Sequence, residues 1–279
     1  MADEPSNLTS LQARIRNEAG RRGRAANTVE RLVANVVVGQ MLPEGVMKGG
    51  AALQVRAGDT HARASRDLDA SRPVGRELDD YLDDLAANLA AGWHGFTGTV
   101  RQAPPPRPPA SVPPDYVMKP FRIALSYKGS AWVTIDFELG RDEVGSTALP
   151  DLRIAESVVH LFAALGLAQP SPIPLLPVDH QIAQKLHACT WVGDGRGNAR
   201  AHDLVDLQVL VREEQPDLAA AGVTAGRLFA SRMAQSWKPV VVAFEDWGSI
   251  YAAAAEGLDV LETVAQAIAW ANDELIARM

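Results

Sequence analysis

The sequence predicts an α/β (α+β) fold, with a mixed sheet flanked by helices in its amino-terminal half and a mainly α-helical carboxy-terminal half. Three observations carry this. Apolar residues recur at helical spacing over 8–40, two segments between 121 and 139 alternate with the period of a strand, and from about residue 150 the pattern is again mostly helical. The expected division is a core with amino-terminal helices over 1–148 and a helical domain over 149–279.

Taken in order, Leu8, Leu11 and Ile15, then Val29, Leu32, Val33 and Val36, mark two helical pieces. Gly20 and Gly23 mark the break and Thr28 is the expected cap of the second piece. Val46-Met47 leads into Gly49-Gly50, and Ala51 to Val55 starts a short helix or turn. Leu68 sits in a strand. Arg76 to Ala91 reads as an acidic amphipathic helix with Leu78, Leu82, Leu85 and Leu89 on one stripe, ended by Gly92. Residues 103–114 hold seven of the 18 prolines and predict an exposed polyproline loop. Phe121 to Tyr127 and Ala131 to Leu139, joined by Lys128-Gly129-Ser130, read as a hairpin. Pro170, Pro172, Pro174 and Pro177 punctuate an extended connection, and helices are expected at roughly 179–191, 200–213, 224–236 and 249–278.

Composition narrows the class. An apolar fraction of 47% and a charged fraction of 22% are those of an ordinary globular protein. No uninterrupted apolar stretch is long enough to cross a bilayer, and the amino terminus lacks the layout of a signal peptide. A cytoplasmic protein without a membrane partner is the expectation. The lone Cys189 excludes an internal disulfide and a cysteine-based zinc site. A net charge of −7 argues against a wholly basic surface, yet 14–31 concentrates Arg14, Arg16, Arg21, Arg22, Arg24 and Arg31 against Glu18 and Glu30. That basic arm suits a phosphate backbone; the alternative is a solvated helix face, or one paired with the acidic 77–84 segment.

The chemistry concentrates in two places. Lys48-Gly49-Gly50 offers a glycine pair that lets backbone approach a phosphate, and Asp67 and Asp69, one residue apart on a strand, point the same way and can share a divalent cation. Either half alone reads as a plain turn or a solvated strand end; in this order and this close, they favour nucleotidyl transfer. On the later strand Ala131, Val133, Ile135, Phe137 and Leu139 form an apolar face, and Trp132, Thr134, Asp136 and Glu138 the other, so Asp136 or Glu138 can complete the metal site or simply meet solvent. In the helical half, Ile182, Leu186 and Cys189 are the expected buried stripe of one helix, which leaves Lys185 and His187 off the core axis. Beyond a glycine-rich 193–198 loop comes Arg200-Ala-His-Asp203-Leu-Val-Asp206-Leu207. A lysine can neutralise charge on a triphosphate and an aspartate can orient it, whereas the plainer readings are a surface lysine and a helix cap. His187 and His202 lack ligand spacing and read as local hydrogen-bonders.

These motifs resemble the AbiEii/MenT family of bacterial nucleotidyltransferase toxins, within the DNA polymerase β-like superfamily. The resemblance rests on Lys48-Gly49-Gly50 with Arg63-Ala64-Ser65-Arg66-Asp67-Leu68-Asp69, and on Gln184-Lys185-Leu186-His187-Ala188 with Arg200 to Leu207. Leu125 to Gly129 and Trp247 to Asp259 look similar to its mycobacterial branch. The resemblance implies a metal-dependent enzyme with Mg2+ (or Mn2+) on Asp67 and Asp69, Glu138 as third carboxylate and Asp136 second choice. It implies catalytic roles for Ser65, Asp67, Asp69, Lys185 and Asp203, nucleotide contacts from Lys48, Gly49, Gly50, Ser65, Arg66 and Lys185, and a helical domain that contributes to the active site. It further implies an NTP donor, CTP or UTP, the 3′ end of tRNA as acceptor, with Arg14, Arg21, Arg22, Arg24 and Arg200 as candidate contacts, and a separately encoded antitoxin. Ser65 is expected on the aspartates' strand face, exposed and open to phosphorylation. Ala51 departs from the family's Ser or Thr and leaves phosphate contacts there to backbone N–H groups. The competing functions are transfer to a small molecule or a protein hydroxyl, and NTP binding without transfer.

Overall fold

The structure, a computed structural model, describes residues 3–58, 60–104, 117–192, 197–233 and 235–279. Of the expected polyproline loop only Ala103 and Pro104 fall among them, and 193–196 of the glycine-rich loop lie outside them. The chain forms two compact units. The first comprises Met1–Asp59, Ala64–Asp142 and Pro150–Leu175; the second comprises Thr60–Arg63, Glu143–Leu149 and Leu176–Met279.

The first unit is built on a seven-stranded mixed sheet. Its strands are β1 (Val46–Lys48), β2 (Asp67–Arg72), β3 (Phe96–Gln102), β4 (Lys119–Tyr127), β5 (Ser130–Arg141), β6 (Asp151–Arg153) and β7 (Ile173–Leu175), in the order β3-β4-β5-β2-β1-β7-β6. β2 pairs with β5, and β1 with β7, in parallel; the other neighbours are antiparallel. The expected hairpin is β4–β5. β6 and β7 are too short to show a period, and β7 lies inside the proline-punctuated connection. Because β7 pairs with β1 through Met47 and Leu175, residues 150–175 return to the first unit and the chain changes unit on both sides of residue 148.

Helices close one face of this sheet. α1 (Leu8–Arg21), α2 (Ala26–Gly39), α3 (Gly49–Ala57), α4 (Leu78–Ala91) and α5 (Glu156–Leu165) form where apolar periodicity predicts the first four. Asn7 caps α1 by accepting the Ser10 N–H at 2.9 Å. Ala25, not Thr28, stands at the start of α2 and makes no side-chain cap; Thr28 is already inside the helix. α2 is buried from Leu32 through Gly39, so it is a core helix rather than an amphipathic surface one. Leu68, Ala70, Ile123, Leu125, Ile135, Phe137 and Leu139 turn towards the helices into one core with Leu32, Val36 and Leu85.

The 14–31 segment is folded helix, not a free arm. Arg14 donates to the Leu165 carbonyl at 2.9 Å, which satisfies the open carboxy-terminal end of α5. Arg22 reaches Glu18 at 3.1 Å and the Ser157 carbonyl at 3.4 Å. These arginines staple α1 to α5; Arg21, bonded to Glu18 in its own turn at 3.2 Å, keeps a 74% exposed side chain.

The second unit packs α6 (Val178–Thr190), α7 (His202–Glu214), α8 (Leu218–Arg232), α9 (Trp247–Ala255) and α10 (Val264–Trp270), the last running into a π-helical turn over Ala271–Ile276. α8 begins six residues before the expected 224, where Asp217 accepts the N–H groups of Ala219 and Ala220. The expected 249–278 helix is interrupted, and Thr263 restarts it with a capping box closed by Gln266. Among the described residues no helix is long and apolar enough to cross a membrane.

Leu68 lies between Asp67 and Asp69 yet is fully buried, whereas Asp67 is exposed. Leu68→Ala is therefore expected to lower unfolding free energy by ~2–5 kcal/mol, and Asp67→Asn to shift it by less than ~0.5 kcal/mol. Urea unfolding of the two variants checks the orientation of β2; equal losses would contradict it.

Candidate active site

On β2, Asp67 and Asp69 face away from the core. The parallel register sets Asp67 beside Asp136 and Asp69 beside Glu138, so four carboxylates occupy two neighbouring rows on the face that no sheet-covering helix buries. Strand neighbours stand about 4.8 Å apart, so their charges repel unless cations intervene. Asp136, 63% exposed, takes Arg122 of β4 at 3.4 Å.

Lys48 ends β1 in register with Asp69, on the same row as Glu138, and is 8% exposed. Its ammonium reaches β5: a Cβ added to Gly140 would stand 3.2 Å from Lys48 Nζ and 2.7 Å from Met118 Sδ. Gly140, two residues past Glu138, thus supplies the space that this cation occupies. Gly49 opens α3 at φ +67°, and a Cβ there would stand 1.9 Å from Asp69 Oδ2. The Asp69 carboxylate therefore lies against bare backbone at the positive end of a helix.

Ser65 is not on the strand. It precedes β2, is 9% exposed, takes its backbone N–H to Gln54 Oε1 at 3.1 Å and donates its hydroxyl to the Asp67 carbonyl at 2.9 Å. The expectation of an exposed serine on the aspartates' face is corrected: two local bonds turn the chain sharply into β2 and bury the hydroxyl. Arg66 is exposed, and its carbonyl accepts Arg31 at 3.1 Å.

In the second unit a chain of alternating charge is buried. Arg200 donates to Asp203 at 2.7 Å, Lys185 to Asp203 at 3.1 Å and to Asp206 at 2.5 Å, and Arg63 forks onto Asp206 with two bonds of 2.9 Å. Both aspartates are fully buried and stand three residues apart on one face of α7. Burial alone would push both carboxyls up; Lys185 with Arg200 for Asp203, and Lys185 with Arg63 for Asp206, outweigh it and hold both below the usual range. The outer end of this chain of charges is Arg200, whose side chain is 49% exposed.

Lys185 and His187 were expected off the core axis of α6; they are 5% and 4% exposed. Packing between α7 and α8 covers more of α6 than its apolar stripe, so Lys185 is paired inside while His187 is bonded through Nδ1 and keeps a buried Nε2 without a hydrogen-bond partner among the described residues. His187 Nδ1 accepts Arg232 at 3.1 Å, and Arg232 also forks onto Glu143 at 2.9 and 2.7 Å. Burial, then the Arg232 charge, pull the His187 pKa down to about 4, and burial does the same for His202. Gln54, Arg63, Asp206 and Gly140 had been assigned no role from sequence. Asp206 is legible as the residue three after Asp203 on a helix and Arg63 as the first residue of the Arg63–Asp69 motif; nothing local marks Gln54 or Gly140.

Open carboxylate rows beside a glycine-opened helix are the equipment of an enzyme that transfers a phosphate-bearing group. Residues 31–270 match the family described as the nucleotidyl transferase AbiEii toxin of type IV toxin–antitoxin systems, and the chain belongs to that family of nucleotidyltransferase enzymes. Among solved structures it is similar to MenT4, a nucleotidyltransferase toxin from Mycobacterium tuberculosis H37Rv, with a TM-score of 0.53 and 19% identity over 77% of this chain and 68% of that one. A second is JHP933 from Helicobacter pylori, with a TM-score of 0.41 and 17% identity over 73% of this chain and 78% of that one. Sequence comparison with functionally curated proteins gives no match. The family implies a separately encoded antitoxin, an NTP substrate and a divalent metal.

Among the described residues no three carboxylate, imidazole or thiol side chains converge into a ready-made metal cage. The donors present fit magnesium all the same, since that ion takes one or two protein carboxylates and completes its octahedron with water and substrate phosphate.

Gly49→Ala is expected to displace the Asp69 carboxylate and cut transfer on the order of 100-fold, at a stability cost of about 1–3 kcal/mol. Steady-state transfer rates beside circular dichroism check this; an unimpaired rate would overturn the contact. The histidines set a pH response. The unfolded chain protonates near 6.5 and the folded His187 and His202 only near 4. Their contribution to stability is complete above 6.5 and is lost as pH falls from 6.5 towards 4, by up to ~1.4 kcal/mol per pH unit for each. Urea midpoints at pH 7.5, 6.5 and 5.5 should drop in that order, and His187→Gln should flatten the dependence.

Proposed function

We propose that this protein transfers a nucleoside monophosphate from a pyrimidine NTP, CTP or UTP, to the 3′ hydroxyl of tRNA, releasing pyrophosphate and blocking translation in the cytoplasm. The observation that carries the reading is the in-register pairing of Asp67 with Asp136 and Asp69 with Glu138 on the sheet's open face. tRNA and a pyrimidine donor come from the family resemblance of the sequence motifs.

Asp67 and Asp69 would hold Mg2+ (or Mn2+), with Glu138 as the third carboxylate and Asp136 kept by Arg122. Bound there, the metal supplies Lewis acidity to the phosphates and lowers the pKa of the acceptor hydroxyl. The acceptor oxygen bonds to the α-phosphorus as the bridging bond to the β-phosphate breaks; the hydroxyl proton passes to a carboxylate of this face and pyrophosphate leaves. Backbone N–H groups at Gly49-Gly50 and the Lys48 ammonium take the donor phosphates. Ser65 acts by fixing the turn into β2 through the Asp67 carbonyl, not by touching substrate. Lys185 and Asp203 are required for transfer, with Asp203 fixing the lysine. Arg66 and Arg21, both exposed, are candidate contacts for polyphosphate or RNA, as is the half-exposed Arg200, whereas Arg14 and Arg22 are engaged by α5.

The test is incubation of the protein with magnesium, total tRNA and each of four labelled NTPs, resolved on a denaturing gel. Label from one pyrimidine nucleotide should enter tRNA, and Asp67→Asn should abolish both label and growth arrest while the urea midpoint stays put. Label in a small molecule or a protein instead, or NTP binding without pyrophosphate release, would replace the reading.

A further inference from the structure

The open face of the sheet continues past the carboxylates. Across four strands one row reads Asp67 on β2, Asp136 on β5, Arg122 on β4 and Arg101 on β3, each in register with the next. Acid and base are segregated along it, and the row spans about 14 Å from Asp67 to Arg101 at the usual strand spacing. Arg101 and Arg122 are both exposed and directly opposed. A like-charged opposed pair is unfavourable in a sheet on its own account, and an anion lying across both relieves the repulsion.

Beside this row the same face sinks into a shallow depression of about 260 Å³ floored by Thr97, Thr99, Ala124, Ser126, Ala131 and Thr134. Small side chains let a ligand approach the sheet, and four of the six offer hydroxyls. Trp132 borders the depression too, but its ring packs on Phe96 and its indole N–H donates to Glu30 at 2.8 Å. Among the described residues none of the large exposed apolar side chains lies on β3, β4 or β5. A protein partner would be met by aromatic and aliphatic anchors, and base-stacking recognition of RNA by aromatic rings. This face offers neither in the open, because the bordering Trp132 is already packed and hydrogen-bonded. It has guanidinium groups and hydroxyls, the donors that hold phosphate and sugar.

We propose that the β3–β4 face, with Arg122 and Arg101 as phosphate ligands and Thr97, Thr99 and Ser126 as hydroxyl donors, is the track on which the single-stranded 3′ end of the acceptor RNA lies. The proposal rests on the nucleotidyl-transfer reading of the adjoining carboxylates and adds the direction from which the acceptor enters. The 3′ hydroxyl sits at the β2–β5 carboxylates, and the preceding phosphates run over Arg122 and then Arg101. Recognition is through the backbone, so this track is indifferent to base sequence, and selection of particular tRNAs has to come from elsewhere.

Two measurements test it. Arg101→Ala, an exposed change outside the carboxylate cluster, should raise the KM for tRNA and leave kcat and the KM for NTP unchanged. Binding of a fluorescent single-stranded RNA oligonucleotide should weaken, and the slope of log Kd against log salt should fall by about 0.7 for each arginine removed, in Arg101→Ala and then in Arg101→Ala/Arg122→Ala. Thr99→Val, which swaps a hydroxyl for a methyl, should weaken oligonucleotide binding without changing that slope. Unchanged RNA affinity and salt slope in the double variant would overturn the proposal. A raised KM for NTP alone would do the same by making the face a donor site, and so would loss of antitoxin binding with RNA kinetics intact. Failure of the wild-type protein to label any RNA would instead sink the function reading, and the oligonucleotide measurement would still judge the face.

Discussion

The pairing of β2 with β5 is the constraint on which the rest of the first unit depends. Parallel strands alternate faces, so one register serves two ends: Leu68, Ala70, Phe137 and Leu139 go into the core while Asp67, Asp69, Asp136 and Glu138 go out. A slip of β2 by one residue would drive Asp67 and Asp69 into apolar packing, where an unpaired carboxylate costs far more than the strand can offset. The hydrophobic effect thus sets the geometry of the charged face without touching it. The neighbours are fitted to that register. Gly49 leaves room for the Asp69 carboxylate and Gly140 leaves room for the Lys48 ammonium. Ser65 and Gln54 fix where the strand begins.

The second unit solves a different electrostatic problem. Two aspartates with no solvent contact would be untenable alone, and the chain Arg200–Asp203–Lys185–Asp206–Arg63 satisfies each carboxylate from two sides. Such an arrangement is weak as a source of net stability, because desolvation consumes most of the Coulomb gain. It is strong as a source of specificity: α6, α7 and the short Thr60–Arg63 stretch fit together in one way. Arg63 belongs to that stretch and lies four residues before Asp67 in the chain. The sequence that fixes the ion chain therefore leads directly into the strand that bears the aspartates.

The open face also shows how one sheet can hold opposite charges without cancelling them. Along this row β2 and β5 carry the acids and β4 and β3 the arginines, and Arg122 and Asp136 meet at the boundary. Net charge, −7 for the whole chain, says nothing of this separation. What matters for an anionic substrate is the local field along one row of strands.

Much of this was legible in the sequence. The spacing of Leu8 to Val36, the stripe on α4 and the alternation in β4 and β5 gave the elements, because each is a period read within a short window. The same alternation put Asp67 with Asp69, and Asp136 with Glu138, on common faces. What the sequence could not decide was partnership. That β2 lies beside β5, that Ile173–Leu175 is a strand at all, and that Lys185 and His187 are buried rather than surface residues depend on segments distant in the chain. Ser65 was misplaced for the same reason, since its burial is enforced by Gln54 eleven residues earlier. Nothing in the sequence marks Gly140, because the Lys48 ammonium it makes room for lies far away in the chain. Periodicity is a property of neighbours in sequence and fixes which way a side chain points. What it points at is set by the non-local packing of the apolar core, and only the tertiary structure contains that.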